Sequence, residues 1–437
     1  MQCQLNQFNL MDDSNYRPRI ADKLLQEQLE VAGVVLVQGP KWCGKTTTAE
    51  QEAKSVVYIN DPELQDEIMT TANFNVKMLL DGATPRLFDE WQLIPRLWDA
   101  LRYEVDHRTM HEGQFILTGS AVPVNTDRIH HTGTGRYAWI HMRPMSLWES
   151  GESTGEVSLY ELFDGNLQIS GQNQLQAEDI AFFVCRGGWP ATIGKTEHQA
   201  LLTAQNYFDA VVESDLSRFD DTLRNPDRSR RIMRSLARHQ GTQVSINAIR
   251  KDMLDNESST LAENTVASYL NAMRNIFVIE DMKAWNTNLR SQTAIRTTDT
   301  RYFVDPSIAT SALGLTAKDL LHDLNTFGLL FETMAVRDLR VYADAMGGSV
   351  SHYRDKDGLE CDAVIHLRNG RYGFVEIKLG GAYNIDLAQK NLNKLAQKID
   401  TDKAGEPAFR MVLTAVGRYA YGLDDGTLVV PIGCLKP

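Results

Sequence analysis

Gly39-Pro40-Lys41-Trp42-Cys43-Gly44-Lys45-Thr46 has the spacing G-x-x-x-x-G-K-[ST], and its flanks give that spacing a meaning. The apolar run Val34-Val35-Leu36-Val37 precedes it, and Thr47-Thr48-Ala49-Glu50-Gln51 can continue as a helix. A strand, a glycine-bounded loop and a helix in that order form a phosphate-binding loop. Backbone N–H groups from Gly39 to Thr47 and the helix N-terminus are expected to cradle phosphates. Lys45 would neutralise their charge and Thr46 would offer a hydroxyl to Mg²⁺. The alternative is a glycine turn before a helix that carries a surface lysine.

Further along, Val56-Val57-Tyr58-Ile59 reads as a second strand, and Arg86-Leu87-Phe88 as a third that ends in Asp89 and Glu90. An acidic pair after a strand is often a simple turn. Downstream of a phosphate loop, Asp89 can hold the Mg²⁺ shell while Glu90 polarises the attacking water. Phe115-Ile116-Leu117-Thr118-Gly119-Ser120 is a further strand; Thr118 or Ser120 would sense the γ-phosphate if this strand lies between the other two. Arg136, after Gly133-Thr134-Gly135, is a candidate arginine finger, as is Arg128, with a solvent-exposed arginine as the competing reading. Strands alternating with helices predict an α/β parallel sheet with its ligand at the carboxyl ends of the strands.

These stretches, together with Trp91-Gln92, Pro95, Trp98 and Met145-Ser146-Leu147-Trp148-Glu149, resemble the bacterial and archaeal AAA-type ATPases that carry a C-terminal domain of unknown function. The resemblance implies an ATPase core with Asp89 and Glu90 as its acidic pair, and ATP with Mg²⁺ as its cofactors. Spacing alone does not choose ATP over GTP.

At 437 residues the chain has room for about three domains, placed here at 1–150, 151–320 and 321–437. Its net charge of −12 argues against a protein coated in basic charge. Five scattered cysteines without C-x-x-C spacing fit reduced thiols and imply no metal cluster. The polar N-terminus lacks signal-peptide regions, and no apolar run approaches the roughly 18–20 residues of a membrane span. A soluble cytoplasmic protein with no membrane partner is expected.

In the middle third, Gln243 to Ile249 and Ala262 to Leu270 read as two short helices, followed by the strands Phe277-Val278-Ile279 and Tyr302-Phe303-Val304. The pattern predicts a winged helix-turn-helix. The outward residues of its second helix, Glu263, Asn264, Ser268 and Asn271, supply no base for phosphate contact, so a structural helical connector competes with that reading. A more basic stretch lies nearby, with nine Lys/Arg against four Asp between Asp215 and Lys251. Arg230, Arg234 and Arg238 share one helix face, either to track a phosphate backbone or to pair with acidic neighbours.

The last third offers an amphipathic helix from Glu332 to about Tyr342, a hairpin and a helix from about Ile385 to Ile399. This order resembles the PD-(D/E)XK nuclease core, with Asp362, Glu376 and Lys378 at its motif positions and Glu332 where many members place a helical glutamate. Cys361 stands where the motif's name has proline. The hairpin register can be argued from the residues alone. A three-residue loop, Arg368 to Gly370, sets Asp362 opposite Glu376 and gathers Cys361, Ala363, Ile365, Val375 and Ile377 on one apolar face. The other face then gathers Asp362, Glu376 and Lys378, a set suited to Mg²⁺-assisted phosphodiester hydrolysis with Glu332 as a further metal ligand. A salt-bridged exposed face, or a fold that binds without cutting, is the alternative.

The function expected is a Mg²⁺-dependent ATPase coupled to binding of DNA or RNA, with endonuclease activity at the C-terminal site and assembly into a homo-oligomer through the arginine finger. The alternative is an ATP-dependent scaffold switch that binds protein partners through an inactive nuclease-like domain.

Overall fold

The computed structural model describes residues 16–121, 133–218, 220, 222–254, 262–285 and 298–437. Arg128 and Cys3 lie outside them. The chain divides into two compact units, Met1–Arg143 with Asn275–Phe277, and Pro144–Arg274 with Val278–Pro437.

Unit 1 is built on β1 (Val34–Gln38), β2 (Ser55–Tyr58), β3 (Arg86–Asp89), β4 (Phe115–Gly119) and β5 (Tyr137–His141), all parallel, in the order β2-β3-β4-β1-β5. Strand side chains alternate between two apolar layers. Val34, Leu36, Phe88, Phe115 and Leu117 pack with Ile68 and Ala72 of α3 (Gln65–Asn75) and Leu97, Trp98 and Leu101 of α4 (Arg96–His107). Val35, Val37, Leu87 and Ile116 face Leu25 and Leu29 of α1 (Ile20–Leu29) and Ala49 of α2 (Lys45–Glu52). Helices on both faces explain why the strands read as continuous apolar runs. β4 lies between β1 and β3, the condition set above for Thr118, and carries it to the centre of the sheet.

Unit 2 contains a seven-stranded mixed sheet in the order β7-β12-β13-β11-β10-β9-β8. Its core strands are β8 (Gly348–Arg354), β9 (Glu360–Leu367), β10 (Tyr372–Lys378), β11 (Arg410–Thr414) and β13 (Leu428–Pro431). The antiparallel run β8-β9-β10 follows the long helix Leu324–Ala345, and the helix Ala382–Lys398 crosses from β10 to the parallel strand β11. The long helix begins eight residues before Glu332, the start expected from sequence, because Asp323 caps it by accepting from the Asn325 and Thr326 amides at 3.2 and 3.1 Å.

Two short pairings fasten the expected connector to the end of the chain. In the first, β6 (Val157–Ser158) pairs in parallel with β14 (Leu435–Lys436); in the second, β7 (Gly171–Gln172) adds to the edge strand β12 (Tyr419–Gly422). The polar stretch Gly165–Glu178 therefore contributes a strand. Between these elements lie the helices Pro226–Arg238, Ile246–Leu254 and Glu263–Asn275. They are followed by antiparallel bridges that join Ile279 to Phe303 and Met282 to Thr300, while Thr242 bridges Arg301.

Candidate active sites

The phosphate loop leaves the carboxyl end of β1. Gly39 passes so close to β5's end that a Cβ there would stand 2.0 Å from the Met142 carbonyl oxygen, which excludes any side chain. Gly44, with φ +100, turns the chain into α2. Trp42 holds φ +66, a strained conformation for a bulky residue, and is 51% exposed. Lys45 donates from Nζ to the Pro40 carbonyl at 2.8 Å, across its own loop. The buried Arg19 braces the loop from below, donating to the Cys43 carbonyl at 2.7 Å and the Arg143 carbonyl at 2.9 Å. Nothing in the sequence marks Arg19 for this task, since its partners are backbone oxygens far along the chain.

The register β3-β4-β1 brings three elements to one point. Thr46 Oγ1 donates to Asp89 Oδ1 at 2.6 Å, and Thr118 Oγ1 donates to the same oxygen at 2.5 Å. Glu90 sits in the left-handed region with φ +57, and its carboxylate accepts from Ser120 Oγ at 2.9 Å and from the Gln92 amide. Hydroxyl and carboxylate oxygens in this grouping are the hard donors that Mg²⁺ prefers, so Thr46 and Asp89 fit the ion that a bound nucleotide would bring.

Arg136 does not join them. It precedes β5, whose first residue pairs with Val34 at the start of β1, so it lies at the opposite end of the sheet from the loop. A five-residue strand spans roughly 15 Å. The Arg136 guanidinium is engaged by Asp106 at 2.8 Å and does not serve the nucleotide site of its own chain.

In unit 2 the hairpin register pairs Phe374 with Val364 and Val375 with Ala363, which continues to Glu376 opposite Asp362. The Gly370 amide donates back to the Leu367 carbonyl at 3.0 Å, and Gly370 has φ +88, as a three-residue loop requires. Lys378 reaches both acids, 2.8 Å from Asp362 Oδ2 and 2.7 Å from Glu376 Oε2. The face that holds this cluster is not solvated throughout, contrary to the division read from sequence. Val364, Tyr372, Phe374 and Val412 on it pack with Ala388, Leu392 and Leu395 of the helix Ala382–Lys398, so both faces of the hairpin are covered.

Glu376 is only 3% exposed. Burial first, and then the neighbouring Asp362 charge, push its carboxyl up to about 8 against the pull of Lys378. Burial works against the Lys378 ammonium, but Asp362 and Glu376 outweigh it and raise its pKa. Glu332, half-buried on the long helix, is also pushed up to about 8 by burial and by Asp362, and Tyr302 donates to it at 2.6 Å. Glu332 and Asp362 line one cavity of about 160 Å³ together with Gly241, Gln243, Tyr302 and His352. Tyr302 had no signal in the sequence beyond its place in an apolar strand.

As the side chains lie, the Lys378 ammonium takes the position between Asp362 and Glu376 that a divalent cation would need. Among the described residues, no three His, Cys, Asp or Glu side chains are grouped so that they could hold a metal ion. The Asp362, Glu376 and Glu332 set read from sequence as metal ligands does not fit one in this arrangement.

The basic stretch resolves mainly into internal pairs. Arg230 bonds Asp209 and Glu213, each at 2.8 Å, Arg224 bonds Asp220 at 2.6 Å, and Arg238 lies 3.8 Å from Asp252. Glu263, Asn264, Ser268 and Asn271 are exposed, as expected. Cys43, Cys185, Cys361 and Cys434 are free and buried. No helix among the described residues is long and apolar enough to cross a membrane.

Three family models match the chain. One described as an AAA domain covers residues 32–150, and two domains of unknown function, DUF8612 and DUF4143, cover residues 177–319 and 327–435. Two uncharacterized mycobacterial proteins, Rv2008c of Mycobacterium tuberculosis and Mb2031c of Mycobacterium bovis, are each 23% identical over 415 residues, covering 94% of this chain and 83% of theirs. Among solved structures, the Walker-type ATPase PABY2304 of Pyrococcus abyssi is 15% identical at a TM-score of 0.43, covering 71% of this chain and all of that one. RuvB of Thermotoga maritima is 16% identical at 0.26, covering 60% and 92% of the two chains. Orc1 of Aeropyrum pernix, solved with DNA, is 10% identical at 0.26, covering 70% and 95%. Residues 32–150 match the AAA domain model and carry their phosphate loop on a parallel sheet.

Proposed function

We propose that this chain hydrolyses ATP at the carboxyl ends of β1, β3 and β4. The observation that carries the reading is the meeting of Thr46, Thr118 and Asp89 on one carboxylate oxygen beside the phosphate loop. Bound Mg²⁺ would supply charge neutralisation of the phosphates, with Thr46 and Asp89 as the residues that hold it or its waters. Lys45 exchanges its Pro40 contact for phosphate oxygens, the loop amides orient the triphosphate, and Glu90 takes the proton of the attacking water once its carboxylate leaves Ser120 and Gln92. Purified protein with Mg²⁺ and ATP should release phosphate, and Lys45→Ala should lower the rate on the order of 10²-fold or more. Equal rates in the two proteins would defeat the assignment.

Unit 2 supports a second activity class, contact with nucleic acid. The order of one helix, three antiparallel strands, a helix and a parallel strand, with Asp362 opposite Glu376 and Lys378 beside them, favours a PD-(D/E)XK-like domain at 321–437. Three helices followed by a bridged hairpin favour a winged-helix reading of the connector at 151–320. The lysine clamped between the two acids favours binding over cutting. Adding single- and double-stranded DNA and RNA to the ATPase assay tests the coupling: stimulation by one polymer names the substrate class, and indifference to all of them favours the switch that binds protein partners. Cleavage lost in Lys378→Ala would restore the nuclease.

A further inference from the structure

At the carboxyl end of β10 the chain runs Lys378-Leu379-Gly380-Gly381 directly into the 17-residue helix Ala382–Lys398. The cap residue is Gly381, with φ +89, and no side chain satisfies the first amides of this helix. A strand, a glycine pair and an uncapped helix start is an arrangement that leaves backbone N–H groups and the positive end of the helix dipole aimed at one place.

A second, independent feature lies at that place. Thr414, 1% exposed at the end of β11, has a hydroxyl buried without a hydrogen-bond partner. Its position follows from register. Val412, which pairs with Glu376, packs against the helix Ala382–Lys398; Thr414, two residues on and paired with Lys378, faces the same side. The helix runs back from the carboxyl end of β10 to enter β11, so it starts at the end of the sheet where Thr414 lies. The next loop closes on the same spot. The Ala415 and Val416 amides donate to the Lys378 and Leu379 carbonyls at 3.1 and 3.2 Å, and a Cβ on Gly417 would stand 3.6 Å from Thr414 Oγ1. Arg418 and Tyr419 follow, both exposed, and Tyr383 on the first helical turn is 78% exposed.

We infer that this junction of the Gly380-Gly381 turn, the first helical turn and Thr414 is a phosphate-binding site. The helix amides and the Thr414 hydroxyl donate to the anion, Arg418 adds charge, and Tyr383 and Tyr419 offer faces on which a base can stack. The ligand chemistry is a phosphoryl group, whether a backbone phosphate of a single strand or a free phosphate. The inference deepens the nucleic-acid reading of unit 2 but does not depend on cutting.

The test uses the full chain at low salt and a fluorescent oligothymidylate of 20 nucleotides, read by anisotropy, with inorganic phosphate as competitor. Tyr383→Asp puts a carboxylate at the helix start, where it stabilises the helix while repelling an anion. Thr414→Val removes the hydroxyl at constant shape. Thr414→Val should weaken binding about 10- to 100-fold, as expected for loss of one hydrogen bond to a charged group, and Tyr383→Asp should weaken it in the same direction by repulsion. Displacement by millimolar phosphate would identify a simple anion site, and displacement by unlabelled strand alone a polymer site; both support the inference. Unchanged affinity in Tyr383→Asp overturns it, as does a wild-type chain that binds neither probe. Binding weakened by Tyr383→Asp in a chain that never cleaves would remove the nuclease and leave this site standing; cleavage that persists with unaltered affinity would do the reverse.

Discussion

In unit 1 the groups that would meet a nucleotide come from eight consecutive residues and the ends of two strands parallel to the first. In unit 2, Asp362, Glu376 and Lys378 come together only because one hairpin takes one register. The two sites also differ in charge balance. The unit 1 site presents backbone donors, an ammonium and two carboxylates each held by hydroxyl or amide donors, so an incoming ligand exchanges these internal contacts for its own. The unit 2 cluster is already neutralised from within, with one ammonium shared between two acids. A site built to receive a ligand and a site closed on itself are told apart by what removing one residue does.

The largest effect is expected in unit 1. Glu90→Gln keeps the size of the side chain and removes its base, so turnover should fall about 10²- to 10⁴-fold with ATP still bound, measured by phosphate release and nucleotide titration. A drop confined to affinity would move the base elsewhere. Thr118→Val takes one of two donors from Asp89 and should cost about 1 kcal/mol of barrier, roughly a fivefold slower turnover. Turnover unchanged in that variant would make the Thr118–Asp89 bond a packing feature and weaken the contrast.

Legibility in the sequence follows the same division. The phosphate loop is contiguous, so Gly39 to Thr46 could be read directly, and Asp89 and Glu90 needed only a strand in front of them. The position of Arg136 could not be read. Tyr137 to His141 was not read as a strand, and which end of the sheet Arg136 occupies is fixed only by the parallel pairing of β5 with β1. Asp362 and Glu376 were placed opposite each other from the alternation of Ala363, Ile365, Val375 and Ile377, because a one-residue slip would scatter those apolar side chains. What the alternation hid was the second apolar set, Val364, Tyr372 and Phe374. A face that is charged at one end and apolar at the other has no clean period. Glu332's surroundings, with Tyr302 and Gly241 set against it from the connector, rest on contacts between segments some 30 to 90 residues apart in the chain and leave no local mark.

A smaller effect should appear in the pH dependence of unit 2. Glu376 and Glu332 rise from an ordinary value of 4.5 to about 8 in the folded chain. The folded state therefore holds protons that the unfolded chain has released between those values, and stability is full at the acid side of this window and lost as pH rises through about 8. Calorimetry should show the melting temperature falling from pH 5 to pH 9, with a shallower slope in Glu376→Gln. A melting temperature that climbs over that range would mean the two acids are ionised and paired throughout. Mg²⁺ that raises the melting temperature at pH 8, and fails to do so in Asp362→Asn, would open the closed cluster to a metal after all.

The smallest effect belongs to Arg136, and it bears on whether unit 1 is complete in one chain. The exposed Arg136 guanidinium lies at the far end of the sheet and is held at 2.8 Å by the half-buried Asp106, whose pKa the contact lowers. A surface pair of this kind stabilises little. Arg136→Ala should therefore leave turnover per site within about twofold of the parent at every protein concentration. An arginine reaching the γ-phosphate of a neighbouring subunit would give a different pattern, a loss on the order of 10³-fold and a parent rate that climbs with concentration as subunits assemble. Measured across the assembly range, those two curves separate a nucleotide site whose chemistry is supplied by Lys45, Thr46, Asp89 and Glu90 alone from one that a second copy of the chain must finish.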